Sequence, residues 1–496
     1  MSLDAEVRIL DDSEVELIVR GAYRILEEVG NIVENETLKG ILEHHGAVRG
    51  ETSDIVRFPP RVLDELVAGS SEEYDRLPGL DASCTLPFGD RAAYSNGIEC
   101  TAGTYPTVML DLDGHVKDHT VRSVADMTRL ADWLPNIDRL GAMGVPSDVP
   151  GELGPLYQRV IAWKYAERKK SNSGEVRDAS LIPYIVDMAA IMSDYKERPL
   201  RDYAFGEVEL ISPLKFARCE ADIFVDLWRR DLLCGIGFMH SCGGTAPVTL
   251  AGTLVLNLAE NLFINLLYRH CYGLRKLWFQ TNSSVMDMRS GMFPFGRPER
   301  GLMILAVGQI ARHFGAGLWA SAIYPDAKAP SLEAGLQSAF NTVPAILAGS
   351  LGLECFGLLS GAEMNSPVQL VIDNDYCGAL KRFARGLEVN DETLALDAIR
   401  EVGPGGIFTP LEHTARLFRK EHWQPTLFSR ESLNAWLASG ARTDVDLARD
   451  ICIRVMEEHH PHNIPEDVER DLFHVVESAA RHFGVSAPHP EGWNTR

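Results

Sequence analysis

The residues of this chain that could do chemistry sit at the ends of short apolar runs. In chain order those ends carry Asp148, Ser171 to Ser173, Glu207 and Glu209, His240 and Cys242, Gln280 and Asn282, Tyr324 and Asp326, and Glu354. Aromatic residues lie among them: Phe238, Trp278, Phe279, Trp319, Tyr324 and Phe356. Carboxylates and aromatic faces suit an organic cation, which is drawn both by full charge and by the negative face of a ring. The substrate-binding set predicted in this way is Glu207, Glu209, Phe238, His240, Gln280, Asn282, Tyr324, Glu354 and Phe356, with no group assigned a bond-making role. Packing is the better explanation for any one of the aromatics, so the prediction rests on the set.

His240 and Cys242 also read as zinc ligands. An imidazole and a thiolate two residues apart at a strand end can reach one Zn²⁺, with Cys355 or Glu354 as a third ligand. No His or Cys pair close in sequence completes the set. The competing reading is a buried thiol beside a hydrogen-bonded imidazole, and no metal is assigned. Glu299 follows Pro298 and suits a helix N-terminus. Gly403 to Gly406 form a Gly/Pro turn without the Lys-Ser/Thr of a phosphate loop, and His459, His460 and His462 read as a solvated loop.

The elements that must hold these residues follow from periodicity. Leu232 to Met239 reads as a buried strand; it breaks at His240 to Gly244 and restarts as a helix opened by Thr245 or Pro247. Similar Gly-containing strands are predicted near 139–145, 169–174, 204–211, 276–282, 316–323 and 351–359, separated by helices. This spacing is that of βα units, and no dinucleotide fingerprint follows the first strand, so the predicted fold is an α/β (β/α)₈ barrel over 136–390. Its eighth strand falls either in 93–112 or near Gly406 to Thr409. Before it, 1–135 is α-rich, with a helix from Ser13 capped by Ser13 and Glu16, and a hairpin turning at Asp113-Gly114. After it, 391–496 is a helical extension.

A formal net charge of −22 over 496 residues argues against a nucleic-acid partner. The nine scattered cysteines, with no CxxC pair, predict free thiols in a reducing cytoplasm. Neither a secretory signal nor an uncharged membrane-spanning run is evident, so no membrane is expected.

Several segments, taken together, carry a resemblance. GGTAPVTLAGTLVLNLAEN (243–261) is similar to the GG-x-x-P-x-T-L-A-G…AE segment of the trimethylamine methyltransferase family of corrinoid-dependent enzymes, a family related to methanogenesis. RILEEVGNIVEN near the start, VRFPPRVLDEL, DVP at 148–150, ISPL at 211–214, NSSVMDMRSG with the GRPE after it, and SRESLNAWLASGA match in the same order. The best-known members carry pyrrolysine; this chain has only standard residues, so it resembles the pyrrolysine-free branch that includes glycine betaine methyltransferases. The resemblance implies methyl transfer from a quaternary amine to Co(I) of cobalamin carried by a separate small corrinoid protein. Homo-oligomers are common among such barrels.

Overall fold

The computed structural model describes residues 6–50, 54–70, 98–167, 170–171, 176–320 and 323–489. The part of 93–112 before residue 98, together with Asn172 and Ser173, lies outside these residues. Strands and helices alternate as expected. The strands that fall in the predicted barrel runs are β1 (Glu99–Thr104), β2 (Arg139–Met143), β3 (Lys170–Ser171), β4 (Gly206–Leu210), β5 (Cys234–Phe238), β6 (Trp278–Thr281), β7 (Gly317–Ala320) and β8 (Gly352–Glu354), with further short strands elsewhere. Each lies within a predicted run. The strand left open between two positions is β1, parallel to both β8 and β2, whereas Gly406 to Thr409 form no strand.

Hydrogen bonding divides the strands into parallel groups: β8-β1-β2-β3, β4-β5 and β6-β7. A single backbone bond, Leu351 N to Leu318 O at 3.2 Å, links β7 to β8, and the Ser350 hydroxyl fills in by accepting Ala320 N at 3.1 Å. No ladder joins β5 to β6 among the described residues, and the reason is visible in the helix Leu250–Leu267 that runs between them. Its Asn257, Asn261 and Asn265 stand on one face at a spacing of four. Asn261 accepts Gln280 N at 2.8 Å and donates to Gln280 O at 3.0 Å; Asn265 accepts Trp278 N at 2.9 Å and donates to Trp278 O at 2.7 Å. On the other side the hydroxyls of Tyr268 and Tyr272 accept Ile236 N and Cys234 N at 2.9 and 3.2 Å. Side chains of one helix thus do for two strand edges what a neighbouring strand would do, and leave buried backbone groups paired. The continuous strand wall of the predicted barrel is interrupted here.

That helix begins at Leu250, capped by Thr249 rather than by Thr245 or Pro247. With the turn after it, Leu250–Tyr272 is long and apolar enough to cross a membrane by length and composition, and most of it is buried in the fold. The first helix, Asp12–Glu28, differs from expectation by its cap: Asp11 accepts Glu14 N at 2.9 Å and Glu14 accepts Asp11 N at 2.8 Å. A carboxylate pair two residues earlier, Asp11 and Glu14, takes the place predicted for Ser13 and Glu16. The predicted Asp113-Gly114 hairpin joins Val108–Leu110 to Val116–Asp118.

Two other expectations fail. Cys100 on β1 and Cys377 on the helix Pro367–Ala384 are joined as a disulfide, because that helix brings together sulfurs that are 277 residues apart in sequence. His459 is not in a solvated loop; its Nε2 lies 3.1 Å from the buried Asp132 carboxylate. The last two long helices also pack on the body: Asp444–Glu458 on Pro367–Ala384, and Glu466–Phe483 on Ile182–Lys196.

Candidate active site

Successive side chains of a strand face opposite sides. On β4, Val208 and Leu210 are buried under helices while Glu207 and Glu209, mid-strand, are exposed. The register places Gly235 and Gly237 of β5 beside those two carboxylates. A Cβ on Gly237 would lie 2.6 Å from Glu209 Oε1, on Gly317 2.5 Å from the Trp278 ring, and on Gly352 2.3 Å from the Trp319 ring. Each large side chain on this face therefore lies across a glycine of the next strand. The glycines noted in the sequence make room for an open face bearing Glu207, Glu209, Trp278, Gln280, Trp319 and Glu354.

At the C-terminal ends of the strands this face meets a compact cluster. Cys355 follows β8 with φ at +73°, and its thiol donates to Tyr324 Oη at 2.9 Å. Tyr324 Oη is 3.5 Å from Tyr105 Oη. Phe295 stacks on Tyr324 with centroids 4.6 Å apart, and the Arg300 guanidinium lies 5.1 Å from Phe295 and 5.6 Å from Tyr324. Arg300 donates to Asn282 Oδ1 at 2.8 Å and to Ser283 O at 3.3 Å. Asp326 holds the loop beneath, accepting Phe295 N at 2.9 Å and Gly296 N at 2.7 Å. Tyr105 is 44% exposed, whereas Tyr324 is buried.

The electrostatics follow from enclosure. Burial pushes the Cys355 thiol well up, and the charges of Glu354 and Glu207 add to it. Burial likewise raises Tyr105 and Tyr324, with Glu354 acting on both and Glu209 on Tyr105. Three carboxylates, two from β4 and one from β8, are thus felt at one thiol–phenol group. Burial lowers Arg300 to about 10, so it stays cationic at neutral pH.

The structure brings Glu207, Glu209, Gln280, Asn282, Tyr324 and Glu354 to this face or its rim. Phe238 and Phe356 it does not: both are in the apolar core, on the covered side. His240 lies behind the strand ends, fully buried, with Nδ1 3.0 Å from Ser283 Oγ and Nε2 2.9 Å from Glu260 Oε2 but out of hydrogen-bond alignment with it. Glu260 accepts Ser212 Oγ at 2.8 Å and Leu214 N at 2.7 Å. Cys242 sits against Met303, Sγ to Sδ 3.8 Å, and burial raises its thiol. Neither residue belongs to the one group of three possible ligand atoms among the described residues, Asp111, Asp113 and His115 on the hairpin. Asp148 caps a helix, accepting Val121 N at 2.8 Å. Tyr105, Phe295 and Arg300 escaped sequence reasoning, and Cys355 was considered only for zinc. Tyr105 was detectable, since it directly follows the strand that was left unplaced.

Against this geometry the comparisons with known proteins are decisive. Residues 2–484 match the family model described as trimethylamine methyltransferase. The chain belongs to the trimethylamine methyltransferase family. Trimethylamine methyltransferase MttB1 of Methanosarcina acetivorans is 28% identical over 494 residues, covering 96% of each chain. MttB of Methanosarcina barkeri is 25% identical over 495 residues, again 96% of each. A glycine betaine methyltransferase of Desulfitobacterium hafniense is 25% identical over 435 residues, 86% of this chain and 88% of its own length. The family name makes this chain a methyltransferase. Segments that carried the resemblance prove to be neighbours in space: ISPL supplies the groups bound by the glutamate of the AE pair, and GRPE is tied to Asp326. For this methyltransferase those motifs build the scaffold behind the open face.

Proposed function

We propose that this methyltransferase removes a methyl group from a quaternary amine, glycine betaine-like in its head group, and delivers it to cob(I)alamin on a small corrinoid protein. The eight strands are read as a (β/α)₈ barrel whose wall the asparagine helix opens between β5 and β6, with the open face as its interior. The observation that carries the proposal is the convergence of Glu207, Glu209 and Glu354 with Tyr105, Tyr324 and Trp319 at one face, where Glu207, Glu209 and Tyr105 are exposed and Tyr324 is buried. Its site residues are those six with Gln280 and Asn282.

A quaternary nitrogen already bears full charge and leaves as a neutral tertiary amine, so no proton donor or covalent adduct is required. A corrinoid presented to the site would supply the electron pair that takes the methyl group, the N–C pair leaving with the amine. The chain's own residues hold the N–CH₃ bond in line and exclude water. The raised Cys355 thiol and the two raised phenols stay protonated at neutral pH. They therefore do not compete as nucleophiles for an activated methyl group. The carboxylates must hold the cation loosely, because its charge vanishes in the transition state and uniform binding does not raise the rate.

The test mixes the enzyme with cob(I)alamin and a panel of amines, and follows loss of the cob(I)alamin absorbance. At least one quaternary amine is expected to react and trimethylamine to fail. Reaction of trimethylamine with none of the quaternary amines would overturn the proposal.

A further inference from the structure

Tyr105 reaches the open face from the connection 105–107, between β1 and the strand Val108–Leu110, and that connection is fastened on both sides of the tyrosine. Before it, Thr104 ends β1, and its Oγ1 accepts Asn365 Nδ2 at 3.0 Å. The same amide donates to the carbonyl of Met143, the last residue of β2, also at 3.0 Å. After it, Pro106 O accepts Val145 N at 3.0 Å and Thr107 O accepts His119 N at 2.7 Å. The backbone is held while the ring itself is left exposed.

Two fully buried side chains, Asn365 and His119, share this work. Asn365 lies on the short strand Met364–Asn365, parallel to Val108–Leu110. With Nδ2 committed to Thr104 and Met143, its Oδ1 is left to face His119 Nε2 at 2.9 Å, so the imidazole carries its proton on Nε2. On the other side of the ring, Nδ1 lies 2.9 Å from Ser123 Oγ. Burial lowers the imidazole, so the ring is neutral at neutral pH and brings no positive charge near a cation site. Gly144, at a φ of +133°, makes room for it: a Cβ there would lie 2.7 Å from the His119 ring. A buried polar network with every member bonded fixes one arrangement of the chain, where apolar packing tolerates several.

We infer that Asn365 and His119 are positioning residues, which fix the connection 105–107 so that the Tyr105 ring stands beside Tyr324 on the open face. The inference rests on the proposed function, in which Tyr105 meets the cationic head of the amine. Attraction between a cation and a ring depends on the direction of the ring as well as its distance, so the ring must be aimed. Neither residue touches the substrate; both act through the tyrosine.

Asn365→Leu removes three buried bonds at once and is expected to destabilise the fold, so the test uses milder changes. Thr104→Val keeps the shape of the side chain and removes the acceptor of Asn365, whereas Thr104→Ser keeps the hydroxyl. Calorimetry measures the binding of glycine betaine, choline and tetramethylammonium to wild type, to these two variants, to Tyr105→Ala and to the double variant Thr104→Val/Tyr105→Ala. Tyr105→Ala should weaken the tightest of the three about 2- to 30-fold, the loss of one cation–aromatic contact, and Thr104→Val should show a part of that loss, at least about twofold. Thr104→Ser should bind as wild type does. In the double variant Thr104→Val should add nothing to the loss from Tyr105→Ala, because a residue that acts through the tyrosine has no further effect once the ring is gone. Wild-type affinity in Tyr105→Ala or in Thr104→Val, or a Thr104→Val loss that persists without the ring, refutes the positioning role while leaving the proposed function standing. A wild-type enzyme that binds none of the three amines and transfers no methyl group from them removes the proposed function and this inference with it.

Discussion

Replacing Asn261 tests whether a helix really completes the edge of β6. Asn261→Leu keeps the length of the side chain and improves helix propensity slightly, while removing the amide that meets Gln280. In the native chain Gln280 N donates to Asn261 Oδ1 at 2.8 Å and Gln280 O accepts from Asn261 Nδ2 at 3.0 Å. Asn257 also reaches that carbonyl, at 3.3 Å, so the carbonyl keeps a donor in the variant and the N–H loses its acceptor. An unmade buried donor costs about 1–3 kcal/mol, and the second lost bond about 1 kcal/mol. Burying leucine in place of an amide returns about 1 kcal/mol. The net expectation is a loss of about 1–3 kcal/mol, concentrated at β6. Hydrogen exchange read by mass spectrometry measures it locally: the peptide containing Gln280 should exchange about 5- to 150-fold faster. Asn257→Leu removes the longer bond to Gln280 and the Oδ1 that accepts from Asn261 Nδ2 at 2.9 Å, but leaves Gln280 N its acceptor, and should have the smaller effect. Unchanged protection in Asn261→Leu, or a larger loss in Asn257→Leu, would refute the idea that these side chains replace a strand.

Glu209→Gln and Tyr324→Ala should weaken a quaternary amine more than its neutral isostere in calorimetry, by about 0.5–2 kcal/mol for a lost cation–aromatic contact; equal losses would show mere packing. Gly237→Ala places a methyl group 2.6 Å from Glu209 Oε1, so it should impair amine binding with little change in unfolding temperature. Alkylation by iodoacetamide at neutral pH should modify the exposed Cys219 first and spare Cys355, whose thiol is buried and raised; a peptide map showing Cys355 labelled in the folded protein would contradict this. Asp373 accepts Gly357 N at 2.7 Å and Gln369 Nε2 at 2.7 Å, and burial raises its carboxyl from 3.8 to about 7. The folded state then holds a proton that the unfolded chain has lost between about pH 4 and 7, so this group's contribution to stability falls as pH rises through that window. Asp373→Asn should flatten unfolding-temperature curves there, against a wild-type change of at most roughly 4 kcal/mol.

What the sequence disclosed and what it withheld divide by range. Alternating burial and βα spacing are local properties, so seven strands and the carboxylates on them were readable, and β1 was narrowed to two positions. The sides of the strands were harder. Phe238 and Phe356 shared the run ends with Glu209 and Glu354, and only the register with β4 and β1 separates the covered face from the open one. His240 was plausible as a site residue for the same reason, but its partners Glu260 and Ser283 come from elements that fold behind the strand. The asparagines of Leu250–Leu267 were in plain view at a spacing of four within an apolar helix. In isolation that pattern marks a helix with a polar stripe; it becomes a substitute strand only beside two strands that do not pair. A cluster such as Tyr105, Tyr324 and Cys355 draws one residue from each of three distant segments, and no window of sequence contains it. Charge-bearing residues are legible one at a time, whereas the enclosure that shifts their protonation belongs to the assembled fold. That is why the class of ligand could be argued from types and spacing, while the thiol and phenols that must remain protonated beside it could not.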